Sequence, residues 1–592
     1  MKQFFKNVAS TIVGLFIFSA LTMVLGIICL VGMVADSDTE TTLQDNSVMV
    51  LKLDGTINDF DDKNVFASLF HPNEEVTGLN NILSAIKKAK NEDQIKGIYL
   101  ESGTVSADYA TLQEIRKALY DFRKSGKWII AYGDMMSQGG YYLSSVANKV
   151  FINPSGSVDW HGIASTPMFL KDLYAKFGVK YTVVKVGKYK SATEMFTEDK
   201  MSESNRLQVS RYINGLWQQV VADVAQSRNI PAKTLNAYAD GMMVFEDSKA
   251  LVARKMVDGL CYYDQIKEEV RKQLGLKTGD RINQAGLNEV INLPNRNNHG
   301  GEIAVLHCEG DIVQTTTMAS SGNQMIVAPN VVKELDRLAN DEKTKAVVIR
   351  INSGGGDAYA SEQIWRAVSA LNRKKPVVVS MGGMAASGAY YMSMGAQYIF
   401  AQPTTLTGSI GIFGAFPDLS GLLTQKLGVK FDEVKTNRNS GYTAALMARP
   451  FNEEEMSYLQ AYINRGYELF RQRVADGRKL PTDKVEEIAQ GRVWLGADAK
   501  SIKLVDELGG LDEAVAKAAK LANMKDYHVT ELPKNTDMFE QLMASVSGNK
   551  DNYLDEKLHA TLGELYTPLM WLRKANERQA IQAALPFALN IK

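Results

Sequence analysis

The chain has 592 residues, of which 45% are apolar and 23% are charged, so it is long enough to bury two sizeable cores. Lysine plus arginine and aspartate plus glutamate are equal at 67 each, which excludes the basic excess that phosphate binding requires, and we expect no nucleic-acid partner. The 3 cysteines and 6 histidines show no metal-ligand spacing, and Cys261 and Cys308 are not expected to pair.

The amino terminus predicts a membrane anchor. Residues 8–34 are almost free of charge, and at about 1.5 Å per residue a helix of that length crosses a bilayer. Lys2 and Lys6 precede this run and acidic residues follow it, so the positive-inside bias places the short end in the cytoplasm. The alternative is a cleaved secretory signal, but the apolar run is longer than a signal's core and no clear cleavage site follows. We expect a single-pass protein of the cell inner membrane whose domains lie in the periplasm.

Past a polar spacer, one stretch of sequence occurs twice. Residues 96–163 align without a gap with residues 345–412 at a constant offset, which places Tyr142 opposite Tyr391. In both copies short β-branched runs alternate with helical patterns, and this order predicts α/β folding with parallel strands and crossover helices. In the second copy we expect strands at Ala346–Ile351 and Pro376–Met381 and helices at Ser361–Leu371 and Gly388–Gly395.

The domain boundaries follow from the repeat and from a stretch rich in Pro, Asn and Gly between its copies. The predicted divisions are a cytoplasmic tail (1–7), a transmembrane anchor (8–34), a spacer (35–47), an N-terminal repeat (48–292), a linker (293–301), a C-terminal repeat (302–533) and a helical C-terminal extension (534–592). The extension shows no pattern that predicts chemistry.

The two repeats differ at the positions that suggest chemistry. The C-terminal repeat has Gly354-Gly355-Gly356 and Ser387, where the N-terminal repeat has Val105-Ser106-Ala107 and Gln138. Ser387 lies at a strand-to-helix turn among small residues, where a substrate can approach closely and the following helix favours developing negative charge. An isolated serine before a helix is more often an ordinary N-cap, so the turn alone leaves both interpretations open. We expect the Gln138 position to be inert.

Neighbouring glycines and a lysine strengthen the catalytic interpretation of Ser387. The glycine run ends the preceding strand, and its amides together with that of Gly388 can form an oxyanion hole. No histidine is obvious as a base, whereas Lys190 of the N-terminal repeat has no amine counterpart in the C-terminal repeat. A buried lysine loses its charge and can accept a proton. Lys185 and Lys188 stand beside it, so spacing alone does not select Lys190, and a lone lysine is usually a solvated surface charge.

Three segments resemble the signature segments of the signal peptide peptidase A family, also called protease IV and peptidase family S49. They are Met384–Gly388, Leu406–Ile412 and Tyr189–Ala192, and the likeness to the long, tandem-repeat, membrane-anchored 67K type runs roughly from the anchor to Leu521. The resemblance implies a Clp-protease/crotonase-like fold in each repeat and a serine–lysine dyad assembled between the repeats. One departure is Gly354, where the family usually has proline, and we expect a softer loop there.

Carried over position by position, the resemblance makes Ser387 the nucleophile, Lys190 the general base and Ser409 a residue that helps to hold the lysine amine. Alternatively, Ser409 is a turn hydroxyl bonded to its own backbone. The amides of Gly355, Gly356 and Gly388 then form the oxyanion hole, and this mechanism requires no metal or cofactor. The resemblance also implies a ring-like homotetramer and apolar substrates, such as signal peptides left in the bilayer.

Two other classes of function stay open. Oxyanion glycines on this fold also serve crotonase-type acyl-CoA chemistry, although coenzyme A is a cytoplasmic metabolite and the predicted anchor argues against it. The other class is a catalytically silent, membrane-tethered scaffold, against which the retained Ser387 argues. The sequence therefore favours a membrane-anchored serine endopeptidase that cleaves apolar peptides on the extracytoplasmic side.

Overall fold

The computed structural model describes residues 43–60, 76–294, 299–315 and 324–533, the backbone of residues 581–584, and residues 14 and 18. The predicted cytoplasmic tail, nearly all of the predicted anchor, part of the linker and most of the C-terminal extension lie outside these residues. Among the described helices, none combines the length and the apolar composition of a membrane span.

Strands and helices alternate through most of the described chain. The strands are β1 (Ser47–Asn58), β2 (Val76–Gly78), β3 (Ile95–Ser106), β4 (Trp128–Met136), β5 (Lys149–Val158), β6 (Lys180–Lys185), β7 (Gly259–Leu260), β8 (Asn283–Ala285), β9 (Gly301–Glu309), β10 (Asp311–Val313), β11 (Met325–Val327), β12 (Thr344–Ser353), β13 (Gly355–Asp357), β14 (Val377–Ala386), β15 (Tyr398–Ala401), β16 (Leu406–Gly408), β17 (Phe413–Asp418), β18 (Val493–Leu495), β19 (Glu507–Leu508), β20 (Tyr527–Leu532) and β21 (Ile581–Ala584). The α-helices are α1 (Leu79–Asn91), α2 (Tyr109–Lys124), α3 (Gln138–Ser144), α4 (Lys171–Lys176), α5 (Glu194–Thr197), α6 (Glu203–Arg228), α7 (Ala232–Asp240), α8 (Ser248–Ala253), α9 (Tyr263–Leu274), α10 (Leu287–Ile291), α11 (Ala328–Asn340), α12 (Ala358–Asn372), α13 (Gly388–Ser393), α14 (Glu453–Arg478), α15 (Thr482–Ile488), α16 (Gly496–Ser501) and α17 (Leu511–Leu521).

The N-terminal repeat is built on a parallel sheet whose strands lie in the order β2-β1-β3-β4-β5-β7, with β8 beside β1. Apolar side chains of α1, α2 and α6 cover one face, and the apolar side of α9 covers the other. Because both faces are buried, the central strands are nearly continuous apolar runs, which is the pattern that parallel sheets require.

The C-terminal repeat has a second sheet in the order β18-β16-β14-β12-β9-β20, and all of its ladders are parallel except β16 with β18. The prediction of parallel α/β folding is therefore confirmed, and β12 and α12 contain the predicted strand and helix. Strand β14 continues to Ala386, beyond its predicted end at Met381, because its last residues pair with β16. The identical pair Asp108 and Asp357 caps α2 and α12 in the same way, each carboxylate accepting a backbone N–H three residues on.

A third sheet joins the repeats, in the order β11-β10-β13-β21-β17-β6. Strand β6 of the N-terminal repeat pairs along its whole length, antiparallel, with β17 of the C-terminal repeat. The repeats are also joined by a buried ion-pair cluster, in which Arg350 contacts Asp59 and Glu114, each at 2.7 Å. The two repeats are thus packed as one body across a shared sheet and a buried charged contact.

The expectation of a helical C-terminal extension is wrong for residues 581–584, which form strand β21. This strand lies between β13 and β17 and pairs antiparallel with both. Ladder pairing on two sides outweighs the local helical preference that the sequence pattern indicated.

Candidate active site

The shared sheet carries the lysine of the N-terminal repeat into the C-terminal repeat. Strand β6 ends at Lys185, and the next amide, that of Val186, donates to the carbonyl of Ile412 at 3.2 Å. The Tyr189 amide then donates to the Gln490 carbonyl at 2.9 Å. The segment that precedes Lys190 is therefore held by backbone bonds to the opposite repeat.

Two glycines let this segment approach closely. A Cβ at Gly491, where φ is +77°, would lie 2.7 Å from both N and Cβ of Lys190. A Cβ at Gly411 would lie 3.4 Å from Cδ of Lys190 and 3.0 Å from Cα of Gly491. Any side chain at Gly491 would therefore displace the lysine, so the absence of a Cβ there is a requirement of the packing.

Ser387 lies at a strained turn between β14 and α13. Its φ and ψ are 58° and −116°, a region that non-glycine residues rarely adopt, and its side chain makes no capping bond to α13. Its amide donates to the Gly408 carbonyl at 2.8 Å. The N-terminal repeat differs here, because α3 has an ordinary cap in which Ser137 accepts the Gly140 amide at 3.1 Å. The N-cap interpretation of Ser387 is therefore excluded.

The structure brings Lys190, Ser387 and Ser409 together. Lys190 Nζ lies 2.7 Å from Ser387 Oγ, 3.0 Å from Ser409 Oγ and 3.1 Å from the Ser409 carbonyl oxygen. All three residues are 0% exposed. Ser409 has φ of 50°, and its amide donates to the Arg492 carbonyl at 2.7 Å. The Ser409 side chain is thus directed at the amine, which disfavours the alternative in which it bonds only its own backbone.

Burial lowers the pKa of the Lys190 amine well below its usual value near 10.5. The physical cause is the loss of hydration by the ammonium form. A neutral amine has two N–H groups and one lone pair. Ser409 offers two acceptors to the N–H groups, which leaves the lone pair for the Ser387 hydroxyl. The surroundings therefore suit a proton acceptor beside an attacking oxygen.

The predicted oxyanion glycines lie on two elements that pack against each other. Helix α13, which begins at Gly388, packs against β13, which contains Gly355 and Gly356. Gly356 has no room for a side chain, because a Cβ would lie 2.1 Å from the Ile312 carbonyl oxygen. The Gly355 amide donates to Ser353 Oγ at 3.1 Å, so in this conformation it is engaged within the chain. Gly388 is the first residue of α13, and backbone N–H groups in the first turn of a helix have no acceptor within that helix.

In the N-terminal repeat, the position equivalent to Ser387 is held by Gln138, whose side-chain amide is hydrogen-bonded at both its nitrogen and its oxygen. Gln138 Nε2 donates to Tyr109 OH at 2.7 Å and to the Gly162 carbonyl at 3.1 Å, while its Oε1 accepts the amides of His161 and Gly162. The polar contacts of His307 are with Glu531 and Asp59, and those of His161 are with Asp159. Gln138 offers no nucleophile, and these histidines are bound to carboxylates.

Some residues that shape the site were missed from the sequence. Gly491, which admits the lysine, and Gln208, which contacts its loop, carry no motif of their own. Gly411 lies in the signature segment Leu406–Ile412, but nothing in that segment indicates that it contacts the lysine. For Gln208 a signal existed, because it aligns with Tyr458 when the helices α6 and α14 are superposed by their identical residues. A difference between repeats at a helix position is the same kind of signal that separated Ser387 from Gln138.

Two models of known protein families match parts of the chain. A model of peptidase family S49 matches residues 121–277 and 369–525, and a model of Clp protease matches residues 311–406. A solved ClpP1 structure from Listeria monocytogenes aligns with 36% of this chain and 94% of that one at 16% identity, with a TM-score of 0.24, too low to support an argument.

Three curated relatives match most of the chain. Protease 4 of Salmonella typhi is 38% identical over 82% of this chain and 78% of its own length. Protease 4 of Haemophilus influenzae is 32% identical over 94% of this chain and 92% of its own. The chloroplastic serine protease SPPA of Arabidopsis thaliana is 31% identical over 81% of this chain and 71% of its own.

Proposed function

The chain belongs to peptidase family S49 and is a serine protease, and we propose that it is a membrane-anchored endopeptidase with Ser387 as nucleophile and Lys190 as general base. The observation that carries the proposal is the contact of 2.7 Å between Lys190 Nζ and Ser387 Oγ. It forms between the two repeats at a fully buried site, where the loss of hydration lowers the pKa of the amine well below its usual value and so favours the neutral form. The described residues of the chain thus supply one such dyad, with one member from each repeat.

Catalysis then proceeds through an acyl-enzyme. Ser387 Oγ attacks the carbonyl carbon of a peptide bond while its proton passes to the Lys190 amine. The resulting ammonium gives that proton to the leaving amine nitrogen as the C–N bond breaks, which leaves an ester on Ser387. A water molecule attacks the ester, with Lys190 again accepting the proton, and the carboxylic product leaves as Ser387 regains its hydrogen.

The negatively charged oxygen of the tetrahedral intermediate accepts hydrogen bonds from backbone amides. Gly388 follows the nucleophile in the chain, and Gly356 lies on β13, which packs against the helix that Gly388 begins. Gly355 joins them when its amide leaves Ser353 Oγ. Removal of one such donor costs about 3 kcal/mol of transition-state stabilisation in serine proteases. Ser409 keeps the amine directed at Ser387 by accepting its two N–H groups.

The position of β21 supports an extended peptide as the substrate. Gln582 of this strand lies opposite Asp357 on one side and opposite Phe413 on the other. The cleft between β13 and β17 thus accepts a main chain as an added strand, which is a common way for proteins to bind peptides. Strand β13 holds two of the oxyanion glycines, so a peptide that replaced β21 would lie beside the nucleophile.

The proposal extends to location and assembly. We place the chain in the cell inner membrane as a single-pass protein with periplasmic repeats, supported by the charge pattern around residues 8–34. The divisions at 48–292 and 302–533 rest on the repeated sequence and on the composition of the linker. The homotetramer and the use of remnant signal peptides rest on the family resemblance. Neither an acyl-CoA enzyme nor a catalytically silent scaffold requires a buried lysine amine hydrogen-bonded to a serine hydroxyl. Both alternatives are therefore disfavoured.

Digestion of an apolar signal-peptide segment tests this function. We expect the full-length protein in detergent micelles to cut the segment, and mass spectrometry to show internal cleavage products. The Ser387→Ala variant should yield none, and a highly charged peptide of equal length should be cut far more slowly. Equal cleavage by Ser387→Ala and the wild type would contradict the assignment of the nucleophile. Equal cleavage of both peptides would contradict the substrate class.

A further inference from the structure

The buried side-chain amide of Gln208 contacts both the loop that carries Lys190 and strand β18 of the C-terminal repeat. Gln208 lies on α6 and is 1% exposed. Its Nε2 donates to the Tyr189 carbonyl at 3.0 Å and to Ser191 Oγ at 2.9 Å. These two residues flank Lys190 in the chain. Gln208 therefore holds the lysine's loop through the backbone carbonyl before Lys190 and through the side chain after it.

The other end of the same amide holds the C-terminal repeat. Gln208 Oε1 accepts the Val493 amide of β18 at 3.3 Å. Val493 follows Arg492, whose carbonyl accepts the Ser409 amide at 2.7 Å. Ser409 in turn accepts hydrogen bonds from Lys190 Nζ. The contacts therefore close a ring from Lys190 through its loop, Gln208 and β18 back to the amine.

Strand β18 also supports the nucleophile. It pairs with β16, and Val493 lies opposite Gly408 in that ladder. The Gly408 carbonyl accepts the Ser387 amide at 2.8 Å. A shift of β18 relative to the lysine's loop would therefore change the distance between the amine and the attacking oxygen.

Further buried groups fix Gln208 in place. Ser191 Oγ donates to Asn205 Oδ1 at 2.9 Å, and Gln208 Nε2 lies 3.2 Å from the same oxygen. Asn205 Nδ2 donates to the Glu194 carboxylate at 2.9 Å. The same carboxylate accepts Ser202 Oγ at 2.6 Å. A network with its donors and acceptors satisfied is rigid, so little freedom is left to the amide.

The C-terminal repeat shows that its equivalent helix does not need this amide. Helices α6 and α14 have 26 residues each, and Tyr212 and Tyr462 align when they are superposed. At the position of Gln208, α14 has Tyr458, which is 57% exposed and donates to Glu454. The repeat without the lysine therefore has a surface residue where the repeat with the lysine has a buried amide.

We infer that Gln208 is a positioning residue for the dyad, and this inference rests on the proposed function. It acts through the Lys190 loop and β18, and keeps the amine within hydrogen-bond reach of Ser387. Only a side chain with both a donor and an acceptor makes these contacts. Leucine makes neither contact, and an ionised glutamate cannot donate to the Tyr189 carbonyl.

Kinetics of full-length Gln208→Leu and Gln208→Glu test the inference on the apolar peptide. For Gln208→Leu we expect kcat to fall about 10²-fold, the effect of a displacement of about 1 Å in a reacting group, with little change in KM. For Gln208→Glu we expect the rise of kcat/KM with pH to move to higher pH, because a nearby negative charge raises the pKa of the lysine. Gln219→Leu is the matched control, because Gln219 lies on the same helix and its side chain donates to Asp223. This variant should keep the wild-type kcat and pH profile.

Wild-type kcat and pH profile in both Gln208 variants would overturn the inference. A merely structural role would lower thermal stability without moving the pH profile, and that result would also overturn it. If Gln208→Leu does not fold, the nearly isosteric Gln208→Glu carries the test. Failure of the proposed function is distinguishable, because the wild type and Gln219→Leu would then not cut the peptide at all.

Discussion

Replacement of Lys190 by methionine is expected to lower kcat for peptide hydrolysis by roughly 10⁴- to 10⁶-fold, the range seen when a base acting as a unit with its nucleophile is removed. Methionine keeps most of the volume of the side chain but cannot accept the Ser387 proton. The fold should persist, because the substitution replaces a buried amine with an apolar group. Initial rates on the apolar peptide, with circular dichroism as the measure of folding, test this.

The neighbouring lysine provides the control for this variant. Lys188 is exposed and lies over the ring of Tyr189, away from the buried amine. Lys188→Met removes the same charge two positions earlier and should keep the wild-type rate. A folded Lys190→Met protein with near-normal kcat would show that another group is the base.

Replacement of Gly491 by alanine is expected to lower kcat about 10²-fold, although Gly491 is none of the proposed catalytic residues. Its new Cβ would lie 2.7 Å from N and Cβ of Lys190, and its φ of +77° is unfavourable for alanine. The lysine has to move, and the amine leaves its position 2.7 Å from Ser387 Oγ. The comparison to make is kcat, together with the rate at which a fluorophosphonate labels the serine.

Backbone strain and displacement of the lysine can be separated with a second glycine. Gly279 has a similar φ of +85°, but a Cβ there would meet no atom within 4 Å. Gly279→Ala therefore introduces the same strain far from any neighbour and should leave kcat unchanged. If both alanine variants lost activity equally, strain alone would explain the effect, and the packing of Gly491 on the lysine would not matter to catalysis.

Features that depend on local pattern could be predicted from the sequence. The duplicated stretch and its strand–helix rhythm gave the parallel sheets, because period and burial are written in consecutive residues. Ser387 and Lys190 each lack a counterpart in the other repeat, but only the family resemblance distinguishes Lys190 from its neighbouring lysines. The structure places the two residues in contact.

Features that depend on distant packing could not be predicted. The positive φ of Ser387 comes from its amide bonding Gly408, 21 positions away in the chain. The placement of Lys190 depends on the β6–β17 ladder, which joins the repeats and has no sequence motif. Strand β21 is an extreme case, since its two partners override a helical pattern. Each outcome is decided by contacts between segments far apart in sequence.

The differences between the two copies fit the proposed dyad. Lys190 belongs to one repeat and Ser387 to the other, and the position equivalent to Ser387 in the N-terminal repeat holds no nucleophile. Gln138 occupies that position, and both the nitrogen and the oxygen of its side-chain amide are hydrogen-bonded within the N-terminal repeat. These bonds stabilise the N-terminal repeat. The buried contact of Arg350 with Asp59 holds the repeats in the arrangement that the shared site requires.

Fluorophosphonate labelling of the full-length protein across a pH series tests the dyad most directly. In the wild type we expect a single labelled site, located at Ser387 by mass spectrometry. The labelling rate should rise with pH, because the base is active only when deprotonated, and level off well below pH 10.5, since burial lowers the pKa of Lys190. Labelling in Lys190→Met should be lost. Labelling at another residue, or undiminished labelling of Ser387 in Lys190→Met, would contradict the account.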